Sequence, residues 1–239
     1  MPRSARRLRF TEAACYHVLN RGHAREAIFH DDEDRTCFLR LLAHYRDRFG
    51  VALYHYCLMG NHFHLVLRLP EPGRLSPLVA GLLVAYWHHY RRRHGLVGHL
   101  FQGRFKSPAI EADAYLLNCG RYVERNPVEA ALAAMPWDYR WSSARAYALG
   151  EPDALLAPNP WYEALADEAG RRQARWREFL LGDDPQEAAV RGEDWVVGGT
   201  AFRRRMQRQQ ARPAPRGRGR PLRAAEQAGA FSSETSTLQ

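Results

Sequence analysis

Two histidines separated by a single residue, His62 and His64, open an apolar stretch of the sequence. If this stretch is a β-strand, both imidazoles project from the same face, because side chains alternate across the pleat. Neutral imidazoles are ligands for divalent metal ions. The pair therefore predicts a metal site. The alternative is two solvent-exposed histidines on a hairpin strand, a common chance pattern in a chain with 11 histidines.

A tyrosine-bearing segment further along the chain supplies a candidate nucleophile. Tyr115, Cys119 and Tyr122 have the spacing of one helix face. If this face packs over the histidine strand, a phenol could reach the metal and cut a phosphodiester bond, storing its energy in a phosphotyrosine link. The spacing does not choose between the two tyrosines, and an ordinary core tyrosine is the alternative for each.

The elements that must position these residues follow the order β-α-β-β-α-β-α. Asp31 or Asp32 can cap the first helix, Gly50 can end it, and Gly60-Asn61 marks a hairpin turn. The first six elements have the order of the split βαβ, ferredoxin-like fold. We therefore predict an α+β fold with an antiparallel sheet and helices on one face, followed by a helical and basic C-terminal extension. The predicted strands are 15–20, 51–58, 62–69 and 105–111, and the predicted helices are about 31–48, 76–94 and 113–125.

The alternation along the histidine strand indicates how the sheet is layered. Phe63, Leu65 and Leu67 alternate with the histidines and predict a buried apolar face. The histidines then lie on the opposite face, where a second layer could cover them.

The length of 239 residues allows one domain and an extension. We assign residues 1–150 to the domain that carries the histidines and tyrosines, and residues 151–200 to a helical extension. Residues 201–239 form a basic tail that we predict to be largely disordered, because it contains nine arginines between positions 203 and 223 and few core residues.

The formal net charge of +9 predicts a polyanionic partner such as nucleic acid. Segment 98–107 mixes aromatic and cationic side chains, as single-strand binding grooves do, although an edge strand with solvated charges is an equal alternative. The tail arginines could bind phosphates or a minor groove, and the alternative is a solvated tail. The candidate DNA contacts are Arg104, Lys106, Arg121, Arg216, Arg218 and Arg220.

The cysteines and the hydropathy indicate a cellular compartment. The four cysteines form no CxxC pair, which favours reduced thiols in a cytosolic protein. The sequence has no apolar run of 18 or more residues, and its basic N-terminus lacks an apolar segment. We therefore expect neither a membrane span nor a secretory signal.

Six segments carry a family resemblance in their order and spacing: Tyr16–Gly22, Cys57–Leu67, Phe101–Ser107, Tyr115–Leu117, Arg121–Pro127 and Tyr139–Ser143. Together they resemble the REP-associated tyrosine transposases. This group is a branch of the single-tyrosine HUH endonucleases, which also include insertion-sequence transposases. The resemblance covers about residues 1–150 and implies a ferredoxin-like nuclease domain.

The resemblance also implies a site and an activity. It makes His62 and His64 the metal ligands, Tyr115 the nucleophile, and Mg²⁺ or Mn²⁺ the cofactor. The substrate would be single-stranded DNA next to a hairpin, cut with a 5′-phosphotyrosine and a free 3′-hydroxyl, which permits strand transfer and DNA transposition. In insertion-sequence relatives a glutamine one turn after the tyrosine is a third ligand. Here Cys119 stands at that position, and the oxygen-bearing Asn118 is adjacent.

The resemblance further implies a bacterial, cytoplasmic, nucleoid-associated protein that acts as a monomer or a homodimer. Two other functions stay open. One is a nucleic-acid-binding regulator on the same fold with a vestigial metal site. The other is a structural zinc protein that uses both histidines together with Cys57 and Cys119. Stoichiometric bound zinc would support the structural zinc protein. Nicking that requires Mg²⁺ or Mn²⁺ would support the nuclease, and the absence of both would support the regulator.

Overall fold

The computed structural model describes residues 15–111, 114–182 and 196–211. In these ranges the strands are β1 (Cys15–Arg21), β2 (Ala52–Leu58), β3 (His62–Arg68), β4 (Ala109–Ile110) and β5 (Val196–Val197). The α-helices are α1 (Asp32–Phe49), α2 (Leu75–His94), α3 (Ala114–Glu129), α4 (Ala144–Leu149), α5 (Pro160–Glu163), α6 (Ala169–Leu181) and α7 (Thr200–Ala211).

The strands form one sheet in the order β2-β3-β1-β4-β5. The first four strands pair with antiparallel neighbours, in the order of the ferredoxin-like fold. The predicted α+β fold class is therefore confirmed. Strand β5 lies beyond the predicted sheet and pairs in parallel with β4, so the complete sheet is mixed.

The boundaries of α1 illustrate how the sequence sets these elements. The side chain of Asp31 accepts a hydrogen bond from the backbone N–H of Asp34 at 3.0 Å and so caps the first turn. Gly50 ends the helix with a φ of 62°, a left-handed conformation that favours glycine. Both residues act as the sequence predicts.

Each face of the sheet carries its own helical layer, whereas the sequence predicted helices on one face only. Helices α1 and α2 cover the face formed by Phe63, Leu65 and Leu67, where the larger apolar core lies. Helix α3 covers the opposite face, and its Cys119 and Val123 pack against β3 and β4. The second layer over the histidine face is therefore α3.

Two predicted boundaries are wrong for reasons that involve proline. Only residues 109–110 of the predicted strand 105–111 form a regular strand, because Pro108 interrupts the segment and has no N–H to donate. Helix α3 continues past Pro127 to Glu129, although we predicted its end near residue 125. A proline removes only its own donor, and the carbonyls of Asn126 and Pro127 still accept bonds from Ala130 and Leu132.

The segment after residue 150 packs against the sheet edge. The backbone N–H of Ala157 donates to the Leu53 carbonyl at 2.8 Å, and the Tyr56 hydroxyl donates to Asp153 at 2.9 Å. Helix α7 buries Phe202 and Met206 in the larger core, although it falls within the predicted basic tail.

Residues 212–239, which include Arg216, Arg218 and Arg220, lie outside the described residues. The domain boundaries therefore stay a prediction. Among the described residues, no helix is both long and apolar enough to cross a membrane.

Candidate active site

The register between β1 and β3 gathers histidines on the sheet face beneath α3. In this antiparallel pair Leu19 lies opposite His64 and Arg21 lies opposite His62. The rings of His62 and His64 are 5.0 Å apart between centroids. The two imidazoles therefore share one face, as the alternation predicts.

A third histidine, His17 on β1, joins this pair. Its Nε2 lies 2.8 Å from Nδ1 of His64, and both side chains are buried. Nε2 of His64 is buried without a hydrogen-bond partner. If Nδ1–H of His64 donates to His17, a lone pair remains on Nε2, which suits a metal ligand. Sequence reasoning missed His17, although alternation along β1 places it on the same face.

Burial keeps these imidazoles neutral. It lowers the pKa of His17 and of His62 to about 4, and it holds the pKa of His64 well below its ordinary value. The positive charge of Arg21 further lowers the pKa of His62 and His64. Near neutral pH all three rings are therefore uncharged, the form in which imidazole binds metal ions.

Tyr122 is the tyrosine that the fold brings to the histidines. Its ring centroid lies 5.6 Å from that of His64 and 5.9 Å from that of His17, edge-on to both. Tyr115 lies seven residues earlier on α3, which is about 10 Å along the helix axis. The first turns of α3 pack in the apolar cluster that contains Cys15 and Ile110, and the later Tyr122 lies beside His64.

Tyr115 packs, as Tyr122 does, against the apolar cluster that contains Cys15 and Cys119. In the described parts of the chain it makes no ring contact with a histidine. The structure therefore does not support the predicted placement of Tyr115 at the histidine pair, and it favours the other candidate, Tyr122.

The predicted third ligands lie in different surroundings. Cys119 is fully buried in the apolar cluster, and burial raises the pKa of its thiol well above the ordinary value. A buried neutral thiol does not suit Mg²⁺. Asn118, the other predicted candidate, is also buried on α3.

Asn126 is an oxygen-bearing side chain that sequence reasoning missed. It lies one turn after Tyr122, hydrogen-bonds to the His62 side chain, and donates from Nδ2 to the Tyr122 carbonyl at 2.6 Å. The spacing of Asn126 from Tyr122 could have identified it, because the resemblance implies a metal ligand one turn after the nucleophile.

No group of three or more His, Cys, Asp or Glu side chains in the described ranges could hold a metal ion. The zinc site with Cys57 and Cys119 is therefore not supported.

Comparison with known proteins finds a family model and a solved structure that match this chain. The family model described as "Transposase IS200 like" matches residues 11–126. The matched segment, just under half of the chain, is similar to IS200-like transposases. No curated protein matches the chain. The solved structure of a REP-associated tyrosine transposase bound to a REP hairpin superposes with a TM-score of 0.50 and 18% identity, covering 66% of this chain and 93% of that chain. At this identity the likeness shows a shared fold.

The predicted DNA contacts within the described residues occupy different positions. Arg104 and Lys106 are exposed, and the backbone of Lys106 bonds to that of Leu19 beside the histidine strand. Phe105 between them is buried in the core, so it is not available to stack on a base.

Arg121 is not a surface cation. Its side chain is 1% exposed, and its Nε donates to the Phe179 carbonyl at 2.7 Å. Its guanidinium also donates to the Gly182 carbonyl. The assignment of Arg121 as a DNA contact is therefore corrected, because these bonds hold it against the end of α6.

Proposed function

We propose that this chain is a transposase that nicks single-stranded DNA at hairpin sequences and transfers the cut strand through a 5′-phosphotyrosine on Tyr122. One observation carries the proposal. The Tyr122 ring lies 5.6 Å from His64, whose buried Nε2 has no hydrogen-bond partner. The candidate nucleophile and the unpartnered ligand atom therefore belong to neighbouring rings.

The donor set fits a divalent metal ion. The unpartnered Nε2 of His64, the neutral ring of His62 and the amide oxygen of Asn126 would hold Mg²⁺ or Mn²⁺, with water completing the coordination. When bound there, the ion supplies Lewis-acid polarisation of the scissile phosphate and fixes its orientation.

The side chain of Tyr122 performs the covalent step. The phenol oxygen of Tyr122 attacks phosphorus, the bond from phosphorus to the 3′ oxygen breaks, and a 3′-hydroxyl departs. The phenol proton passes to water, and the departing oxygen takes up a proton. A second 3′-hydroxyl reverses the reaction, frees the phenol and joins a new strand without ATP.

Arg21 assists this step by its charge. A phenol has an ordinary pKa of about 10, so it requires activation near neutral pH. Arg21 is exposed at the end of β1, and its charge acts on both His62 and His64. The guanidinium can bind the phosphate and stabilise the phenolate.

Hairpin DNA is the proposed partner because a relative of the same fold is bound to one. Arg104 and Lys106 lie exposed near β1 and would contact the phosphate backbone. The tail arginines Arg216, Arg218 and Arg220 would add electrostatic affinity that requires no fixed structure.

Nicking assays test the proposal. Purified protein is incubated with single-stranded hairpin oligonucleotides, with and without Mg²⁺ or Mn²⁺. His62→Ala and His64→Ala should each abolish cleavage while binding of the oligonucleotide persists, because cations supply most of the affinity. The exposed His44 on α1 provides a matched control, and His44→Ala should cleave normally.

Two outcomes would contradict the proposal. Unchanged cleavage in either site variant would exclude His62 or His64 as a required ligand. Binding by the wild-type protein without cleavage of any hairpin would favour a regulator with a vestigial site.

A further inference from the structure

A buried carboxylate on α3, that of Glu124, has no part in the proposed chemistry. Its side chain is fully buried two residues after Tyr122. Burying an ionisable group is costly unless donors surround it. The residues around this carboxylate therefore indicate what it does.

Three side chains from three different elements converge on Glu124. On Oε1, Nδ1 of His55 lies 2.8 Å away and the Ser143 hydroxyl donates at 2.6 Å. On Oε2, the indole N–H of Trp176 donates at 2.9 Å. His55 belongs to β2, Ser143 immediately precedes α4, and Trp176 lies on α6.

The partners of Glu124 are themselves fixed. The rings of His55 and Trp176 stack with centroids 5.6 Å apart. The second ring nitrogen of His55 lies 3.2 Å from Nδ2 of the buried Asn159. Gly120, one turn before Glu124, lets the helix backbone approach this cluster, because a Cβ there would meet the His55 ring at 2.5 Å.

The other partners come from outside the matched transposase segment. That segment ends at residue 126, whereas Ser143, Asn159 and Trp176 all lie beyond it. Two arginines of α3 add a second link to α6, since Arg125 donates to the Leu180 carbonyl at 2.6 Å and Arg121 donates to Phe179. Residues 143–182 therefore form hydrogen bonds with the helix that carries Tyr122.

We infer that Glu124 is a positioning residue, through which the C-terminal extension fixes the rotation of α3 and so places the Tyr122 phenol at the histidines. Glu124 and Gly120 hold the side of α3 that faces β2 and the extension, while Tyr122 faces His17 and His64. The inference rests on the proposed role of Tyr122 as the nucleophile.

The geometry of a helix explains why rotation matters. Side-chain atoms lie about 5–6 Å from the helix axis, so a rotation of about 10° displaces them by about 1 Å. A misplacement of about 1 Å at a reacting group can cost on the order of 100-fold in rate. A contact on the far side of α3 therefore controls the approach of the phenol without touching the DNA.

Glu124→Gln tests this role with little change of shape. The amide keeps one acceptor oxygen but directs an NH₂ group towards a donor, so at least one of the three hydrogen bonds is lost. We expect the rate of covalent Tyr122–DNA adduct formation to fall on the order of 10- to 100-fold. The dissociation constants for hairpin DNA and for Mn²⁺ should change less than twofold, because no ligand or surface cation is altered.

A matched control separates positioning from general destabilisation. Leu42→Ala removes buried side-chain atoms from α1, in the core on the opposite face of the sheet. Below the unfolding temperatures of both variants, Leu42→Ala should form the adduct at the wild-type rate. Equal rates for Glu124→Gln and wild type, or equal losses in both variants, would overturn the inference.

A second pair of variants keeps the test decisive if Glu124→Gln does not fold. Trp176→Phe and Ser143→Ala each remove a single donor to the carboxylate. Each should lower the adduct rate in the same direction but by less, with DNA binding intact. Wild-type rates in both would overturn the inference. Failure of the wild-type protein to form any adduct would instead refute the proposed function.

Discussion

At the scale of single residues, the proposed metal site depends on a hydrogen bond between two imidazoles. His17 and His64 are 2.8 Å apart between Nε2 and Nδ1, and the direction of this hydrogen bond decides which nitrogen of His64 carries its proton. Metal-ligating histidines generally donate the other ring N–H to a partner that sets their tautomer. His17 has this role if His64 binds the metal through Nε2.

The variant His17→Phe tests that role. It keeps an aromatic ring but leaves the Nδ1–H of His64 without an acceptor, so we expect the affinity for Mn²⁺ to fall by about 10- to 100-fold. Titration calorimetry with Mn²⁺ measures this in the absence of DNA. His44→Phe, an exposed histidine on α1, should bind Mn²⁺ as the wild type does. Equal affinities in both variants would remove His17 from the metal site.

The sequence predicts some of these residues better than others. Alternation along one strand is a local property, so the shared face of His62 and His64 followed directly from their spacing. The contact between His17 and His64 joins residues 47 positions apart and depends on strand pairing. Pairing of this kind leaves no periodic signal in a single sequence.

At the scale of elements, α3 decides which tyrosine can act. The sequence places Tyr115 and Tyr122 near one helix face, and both pack against the same apolar cluster. Their distance from the histidines depends on where the helix begins along the sheet. Strand β4 ends opposite Cys15, and the first turns of α3 pack beside that end of β1, so the later tyrosine lies at the histidines.

Gly120→Ala tests how closely α3 approaches the sheet. A Cβ at this position would meet three atoms of the His55 ring at 2.5–2.8 Å. We expect the free energy of unfolding to fall by about 1–3 kcal/mol, despite the better helix propensity of alanine. Urea denaturation measures the change. A Cβ at Gly60 meets nothing within 4 Å, so Gly60→Ala should be nearly neutral, and equal stabilities in the two variants would contradict the packing.

At the scale of the whole molecule, charge and the C-terminal extension add to the domain that carries the histidines. The net charge of +9 predicts nucleic-acid binding, but it does not indicate which arginines face DNA. Arg121 is an example: as an arginine it was predicted to contact DNA, but it is buried against α6. The contacts between α3 and the C-terminal extension are likewise distant in sequence, because Ser143 and Trp176 lie 19 and 52 positions after Glu124. Local sequence patterns do not predict such contacts.

Truncation after Ala211 tests the contribution of the basic tail. The deletion removes five arginines, including Arg216, Arg218 and Arg220, and leaves α7 in place. We expect weaker binding of hairpin DNA and a shallower dependence of affinity on salt concentration, because fewer counterions are released. Fluorescence anisotropy across a salt series measures both. Equal affinity of the two proteins at every salt concentration would show that the tail does not bind DNA.

The covalent adduct between protein and DNA tests the central claim most directly. The protein is incubated with Mn²⁺ and single-stranded hairpins that carry randomised flanks, and the adduct is digested with trypsin and analysed by mass spectrometry. Cleavage after Lys106, Arg121 and Arg125 places Tyr115 and Tyr122 on different peptides. We predict nucleotide on the Tyr122 peptide, lost in Tyr122→Phe and retained in Tyr115→Phe. Nucleotide on the Tyr115 peptide, or cleavage that leaves no adduct on any tyrosine, would contradict the account.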